Sequence, residues 1–160
     1  SMHQFTLNLD SVDWRRVTDS THHDFKIDFE YSLLGFDLEA GRLDMLLRYA
    51  ADKGHCRRHR HVASTMTFVL DGEQHLEESQ EDGVIKRVLR RKGDYALSPA
   101  DAKPHREHGG ESGGTVLLSM LAPDGVLFEY FGPEPDDSWT VSIAEFVKSW
   151  DSGEIYGLNA

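Results

Sequence analysis

Residues 54–72 read GHCRRHRHVASTMTFVLDG, and the fold turns on this stretch. From His59 to Leu70 the residues sort into two unlike sets at alternate positions, the pattern of a strand with different faces. Side chains at i and i+2 of a strand share a face, roughly 7 Å apart along it. His59 and His61 therefore point the same way. If the strand is unbroken, His55, Arg57, Ala63, Thr65, Thr67 and Val69 share that side. Val62, Met66, Phe68 and Leu70 take the other side as an apolar packing surface. Asp71-Gly72 follows at once, a hairpin signal because both residues tolerate positive φ. Gln74 to Glu78 is then the return strand.

Working outward, the same period recurs. Phe25, Ile27, Phe29 and Tyr31 alternate with polar residues, as do Leu43, Met45, Leu47 and Tyr49. Before them, Leu7, Leu9, Val12, Trp14 and Val17 suggest an edge strand or a covering arm. Downstream, strands are expected over Val84–Leu89, Tyr95–Ser98, Thr115–Leu121 and Val126–Phe131, with Pro99 ending the second of these. Residues 100–114 read as a polar connection. Only the end looks helical: Ile143, Phe146, Val147 and Trp150 fall at i, i+3, i+4 and i+7, Ser142 and Glu145 fit a capping box, and Gly153 is a stop. Eight or nine short strands at 8–12-residue spacing with one terminal helix predict an all-β fold, closed or sandwiched, such as a jelly roll.

The chain of 160 residues is one domain's worth, taken here as 2–160, with Ser1 read as lying before the natural start. Its net charge of −11 argues against nucleic acid or an anionic membrane as partner. A single cysteine, Cys56, excludes an internal disulfide and a multi-cysteine zinc site. No apolar run reaches the roughly 18 residues of a membrane span, and no signal-peptide layout opens the chain, so a cytoplasmic location is expected.

Nine histidines are out of proportion, and six of them fall between 55 and 108. Two imidazoles at i and i+2 on an inward face can reach one metal ion at about 2.0–2.1 Å each. A third ligand must come from elsewhere, and His105 and His108 are the candidates. Neutral imidazoles with open positions suit Fe, Zn, Ni or Cu better than Mg or Ca, and they suit chemistry better than a structural site, in which protein fills every position.

Gly54-x4-His59-x-His61-x3-Thr65-x6-Gly72 resembles the first cupin motif, and Gly93-x5-Pro99-x5-His105 resembles the second, with 20 residues between them. The resemblance covers motif 1 at 54–72 and motif 2 at 93–105. It implies a single cupin jelly-roll β-barrel, with an N-terminal arm and a short C-terminal helix, holding a metal through His59, His61 and His105. Two departures stand out. Thr65 occupies the place of the usual glutamate, and Asp101 that of a usual glycine, with the histidine one residue late. The first departure makes the chain similar to the three-histidine dioxygenases that cleave acetylacetone or dihydroxyacetophenones, and to the cupin part of ChrR-type anti-sigma factors. The second keeps His108 as a rival to His105.

The resemblance implies a mononuclear centre, foremost Fe(II), acting with O₂ on a small β-dicarbonyl or hydroxyketone and cleaving a C–C bond. The alternatives are a non-catalytic metal- or ligand-sensing cupin, and an isomerase or lyase acting on a small acid. A homodimer is the expected assembly. Thr65 and Arg57 are the candidates to stand behind the ligands, Arg57 having the inward parity. His55 reads as a residue at the barrel mouth, and His3, His22, His23 and His75 as surface. Cys56 has the parity of a buried small residue. Phe128, Tyr130 and Phe131 are core or pocket lining, and the basic run Lys86–Lys92 reads as an exposed strand face.

Overall fold

A computed structural model of the chain describes residues 3–19, 26–51 and 54–153. Among these, ten strands precede one helix: β1 Arg15–Asp19, β2 Ile27–Asp37, β3 Arg42–Tyr49, β4 His59–His61, β5 Ser64–Ser79, β6 Ile85–Arg91, β7 Tyr95–Ser98, β8 His105–Leu121, β9 Val126–Phe131, β10 Ser138–Ser142 and α1 Ile143–Ser152. Every strand pair is antiparallel, and the strands form one curled sheet in the order β1-β2-β3-β8-β4-β9-β10, with β5 joined to β6, β7 and β8. This is the all-β architecture expected from the strand spacing. His22, His23 and Phe25 lie outside the described residues.

Alternation places the core. Leu43, Met45, Leu47 and Tyr49 of β3 turn inward against Phe29 and Tyr31 of β2 and Val116, Leu118 and Met120 of β8, all of them buried. At the other end Ser142 caps α1: its hydroxyl accepts from the Glu145 N–H, while the Glu145 side chain accepts from the Ser142 N–H. Gly153 ends the helix in the left-handed region, at φ 77°.

Three sequence expectations need correction. The strand expected over His59–Leu70 is interrupted at Val62-Ala63, where both backbone N–H groups donate to the Leu127 carbonyl. Its inward parity survives the break: Ala63, Thr65, Thr67 and Val69 are buried, whereas Val62, Met66, Phe68 and Leu70 are only half-buried on the outer side. Asp71-Gly72 is not a hairpin. β5 runs on through it to Ser79, and β8 runs alongside with four residues, 110–113, bulging opposite Glu73. At this crease the two main chains nearly touch, since a Cβ on Gly72 would lie 2.4 Å from the Gly113 carbonyl oxygen. Positive φ at Gly72 therefore serves a bend in a long ribbon rather than a turn between two strands. Third, the polar run 100–114 is not a connection throughout. From His105 it is the first half of β8, paired residue for residue with Gln74–Glu78. Polar side chains are tolerated there because the alternate ones face a cavity.

Asp101 answers the second motif departure. It adopts φ 59°, a left-handed conformation that aspartate tolerates better than most residues. Its N–H donates to the Val62 carbonyl and its carboxylate accepts from Arg60.

Candidate metal centre

Strand β4 is only three residues long, yet it lies between β8 and β9 and delivers the pair His59 and His61 to the barrel interior. In the β4–β8 register His59 stands directly opposite His105. The third histidine is thus placed by strand pairing, which spacing along the chain does not reveal. All three rings are buried, and one ligand nitrogen from each lies within 4.8 Å of the others. Phe128 and Tyr130 wall the group: the Phe128 ring meets His59 and His61 edge-on, at 5.8 and 5.2 Å between centroids.

The hydrogen bonds assign the tautomers of two rings. His59 Nδ1 is 2.6 Å from the Arg57 carbonyl, which can only accept, so Nδ1 carries a proton and the neutral ring presents its lone pair at Nε2. The Thr65 hydroxyl donates to the Ala63 carbonyl at 3.0 Å and must therefore accept from His61 Nδ1 at 2.8 Å. His61 Nε2 is left with a lone pair as well. The two Nε2 atoms then face each other at 3.3 Å with no proton between them. His105 Nε2 is buried without a hydrogen-bond partner. Such facing acceptors cost stability unless something positive lies among them. Two nitrogens about 2.1 Å from one ion are about 3.0 Å apart at a right angle and about 3.4 Å apart at a tetrahedral one, so the observed spacing fits a shared transition-metal ion.

A cavity adjoins the rings, lined in part by His61, His105, Thr65, Thr67, Gln74 and Arg90. It also holds Glu107, which the sequence reading missed. Glu107 lies two residues beyond His105 on β8, so it shares the inward face, and it is only 2% exposed. Its Oε2 accepts from Gln74 Nε2 at 2.6 Å, and Gln74 Oε1 accepts from Arg90 at 3.1 Å. The other oxygen, Oε1, has no hydrogen-bond partner and lies 3.6 Å from His59 Nε2. The alternation of His105, Glu107 and Gly109 against Arg106 and His108 carried this signal, but it was hidden in a run that looked like loop. Arg90 likewise departs from the exposed face expected of the basic run. It alone turns toward the cavity, and burial pushes its guanidinium pKa down.

Thr65 is buried and orients His61. Arg57 is buried, but its guanidinium pairs with Asp19 of β1 and lies over the Trp139 ring, so it touches the centre through its backbone carbonyl. His108 has the opposite parity to His105. Its ring stands 4.6 Å from that of His55 and stacks on that of His75 at 5.0 Å, apart from the three-ring cluster. Cys56 is buried against the Tyr49 hydroxyl at 3.0 Å.

Burial sets the charge of this interior. It pushes the pKa of His61 and His105 well below the ordinary histidine value, and a neighbouring ring adds to it, His105 for His61 and His59 for His105. His55 is pushed down to about 4 by burial and then by His108. In the unfolded chain these rings return to about 6.5. The unfolded state therefore binds protons below pH 6.5 that the metal-free fold refuses, and stability falls as pH falls, by up to about 1.4 kcal/mol per pH unit for each ring. The urea midpoint of metal-free protein is expected to change little above about pH 7 and to drop ever more steeply from there toward pH 5. A midpoint unchanged at pH 5 contradicts neutral buried rings.

No protein-family model matches the chain, and no curated protein matches it. Solved structures do. An acetylacetone dioxygenase from Acinetobacter johnsonii superposes with a TM-score of 0.66 at 13% identity, over 95% of this chain and 93% of that one. A candidate acetylacetone dioxygenase from Methylibium petroleiphilum PM1 gives 0.65 at 15% identity, over 94% and 96%. An RmlC-like cupin from Ralstonia eutropha JMP134 gives 0.64 at 10% identity, over 93% and 85%. The chain has the cupin fold, with three imidazoles gathered where one ion can reach them all. Among the described residues no helix is long and apolar enough to cross a membrane.

Proposed function

We propose that the protein is a mononuclear metal-dependent dioxygenase that cleaves a C–C bond of a small β-dicarbonyl or hydroxyketone, both atoms of O₂ entering the two fragments. The observation that carries this reading is the cluster of His59, His61 and His105, three buried rings with one ligand nitrogen of each within 4.8 Å of the others, two of them held by hydrogen bonds at Nδ1 and the third with its Nε2 unpartnered. These rings would hold one divalent ion, foremost Fe(II), with Zn, Ni and Cu as the competing occupants. When bound, the ion supplies a Lewis acid for the substrate oxygens and a one-electron partner for O₂.

The chain's own residues do the rest. The Arg57 carbonyl and the Thr65 hydroxyl hold two rings in the metal-binding tautomer, the task of outer groups around metal sites generally. Phe128 and Tyr130 shield the rings on one side. The cavity is small, which favours a compact substrate, and Gln74 and Arg90 line it as a hydrogen-bonded chain running to Glu107. The fold likeness to acetylacetone dioxygenase supports the reaction class.

The test loads the protein with Fe(II) and presents simple β-diketones, hydroxyacetophenones and small hydroxy acids with and without air, following O₂ and substrate together. One O₂ consumed per substrate lost is the expected result. Turnover that persists without O₂ overturns it in favour of an isomerase or lyase. Tight metal with no turnover of any compound overturns it in favour of a sensing protein.

A further inference from the structure

We propose that Glu107 is a fourth protein ligand of the metal ion, a carboxylate supplied by strand β8. The proposal rests on the reading of His59, His61 and His105 as ligands. Thr65, at the position expected to offer a carboxylate, is committed elsewhere: its hydroxyl donates to the Ala63 carbonyl and accepts from His61 Nδ1. A carboxylate is nevertheless present. Glu107 is 2% exposed, and its Oε1 accepts no hydrogen bond within normal distance, with the buried Tyr49 hydroxyl and Cys56 thiol as the neighbouring donors. A buried carboxylate oxygen without a partner is strongly disfavoured unless a cation or donor meets it.

Oε1 faces the ring cluster at 3.6 Å from His59 Nε2, close to the about 3.0–3.4 Å that separates two ligand atoms sharing one ion. Glu107 is not among the three residues whose ligand atoms lie within 4.8 Å of one another, so ligation would require its carboxylate to turn toward them. The turn is guided from behind. Oε2 stays on Gln74 Nε2, and Gln74 stays on Arg90. The chain Arg90–Gln74–Glu107 thus plays toward Glu107 the part that Thr65 plays toward His61. The consequence is a centre of three nitrogens and one charged oxygen. That donor set lowers the net charge of a bound divalent ion from +2 to +1 and suits harder divalent ions better than three imidazoles alone.

Cobalt(II) is the probe, because its visible bands report the ligand set directly. Wild type, Glu107→Gln and His61→Ala are titrated with Co(II), with thermal melts of each variant as a folding control. Glu107→Gln keeps an oxygen to accept from Gln74 but turns an amide toward the ion. The expected result is affinity weaker by about 100-fold or more, with a changed visible spectrum. Two results overturn the proposal: affinity within about threefold of wild type, or weaker affinity with an unchanged spectrum, which leaves the carboxylate outside the coordination sphere. Should Glu107→Gln melt before it can be titrated, Glu107→Asp, which keeps the charge and shortens the reach, is judged by the same two criteria. Failure of the underlying reading looks different: the wild type itself then leaves Co(II) with its aqueous spectrum, and His61→Ala behaves identically.

Discussion

His61→Ala protein is expected to remain folded and to lose at least about 100-fold in affinity for Fe(II), Co(II) or Zn(II). The ring is buried, and its Nε2 stands 3.3 Å from that of His59 in the middle of the cluster. Removing it takes away one of three convergent lone pairs and strands the Thr65 hydroxyl. It also relieves the fold of one of two facing acceptors, so the metal-free variant should melt no lower than the parent by more than the cost of the space left behind. His75→Ala is the control. That ring stacks on His108, outside the cluster, and its loss leaves metal uptake unchanged. Elemental analysis after loading and desalting reads both. Equal metal in wild type and His61→Ala removes the centre from the interior altogether.

Phe146→Ala is expected to destabilise the protein by about 3–5 kcal/mol while leaving metal uptake intact. The Phe146 side chain is wholly buried and meets the Tyr31 ring edge-on at 5.4 Å, and Tyr31 also meets Trp150 at 5.5 Å. Helix α1 packs on β2 and β10, away from β4 and the first half of β8 that carry the imidazoles. The truncation thus opens a void under the helix without moving the rings. Urea denaturation measures the loss. A change below about 1 kcal/mol contradicts the packing of the helix on β2.

The two predictions draw on different degrees of legibility in the sequence. Helix α1 was readable because its stop, its cap and its apolar positions are all local, and the observed capping box and left-handed Gly153 are those expected. The inward parity of His59 and His61 was readable for the same reason, since alternation needs no knowledge of partners. What could not be read is what depends on pairing. Asp71-Gly72 carries the composition of a hairpin, and only the presence of Gly113-Gly114 on the neighbouring strand makes it a crease. His105 faces His59 because of a register, and Glu107 enters the cavity because residues 105–109 form strand rather than loop. Arg57 had the right parity, yet Asp19 of β1 draws its guanidinium away.

The crease at Gly72 reaches beyond its own geometry. Thr65 and Thr67 lie on one side of it and Gln74 and Leu76 on the other, and all four border the same hollow. Much of the chamber wall is therefore one bent strand, and at its bend backbone is pressed on backbone. Such a bend resists gradual adjustment. A side chain at Gly72 would press on the Gly113 carbonyl and shift one wall against the other, whereas exchanging Thr67 or Leu76 alters the lining alone.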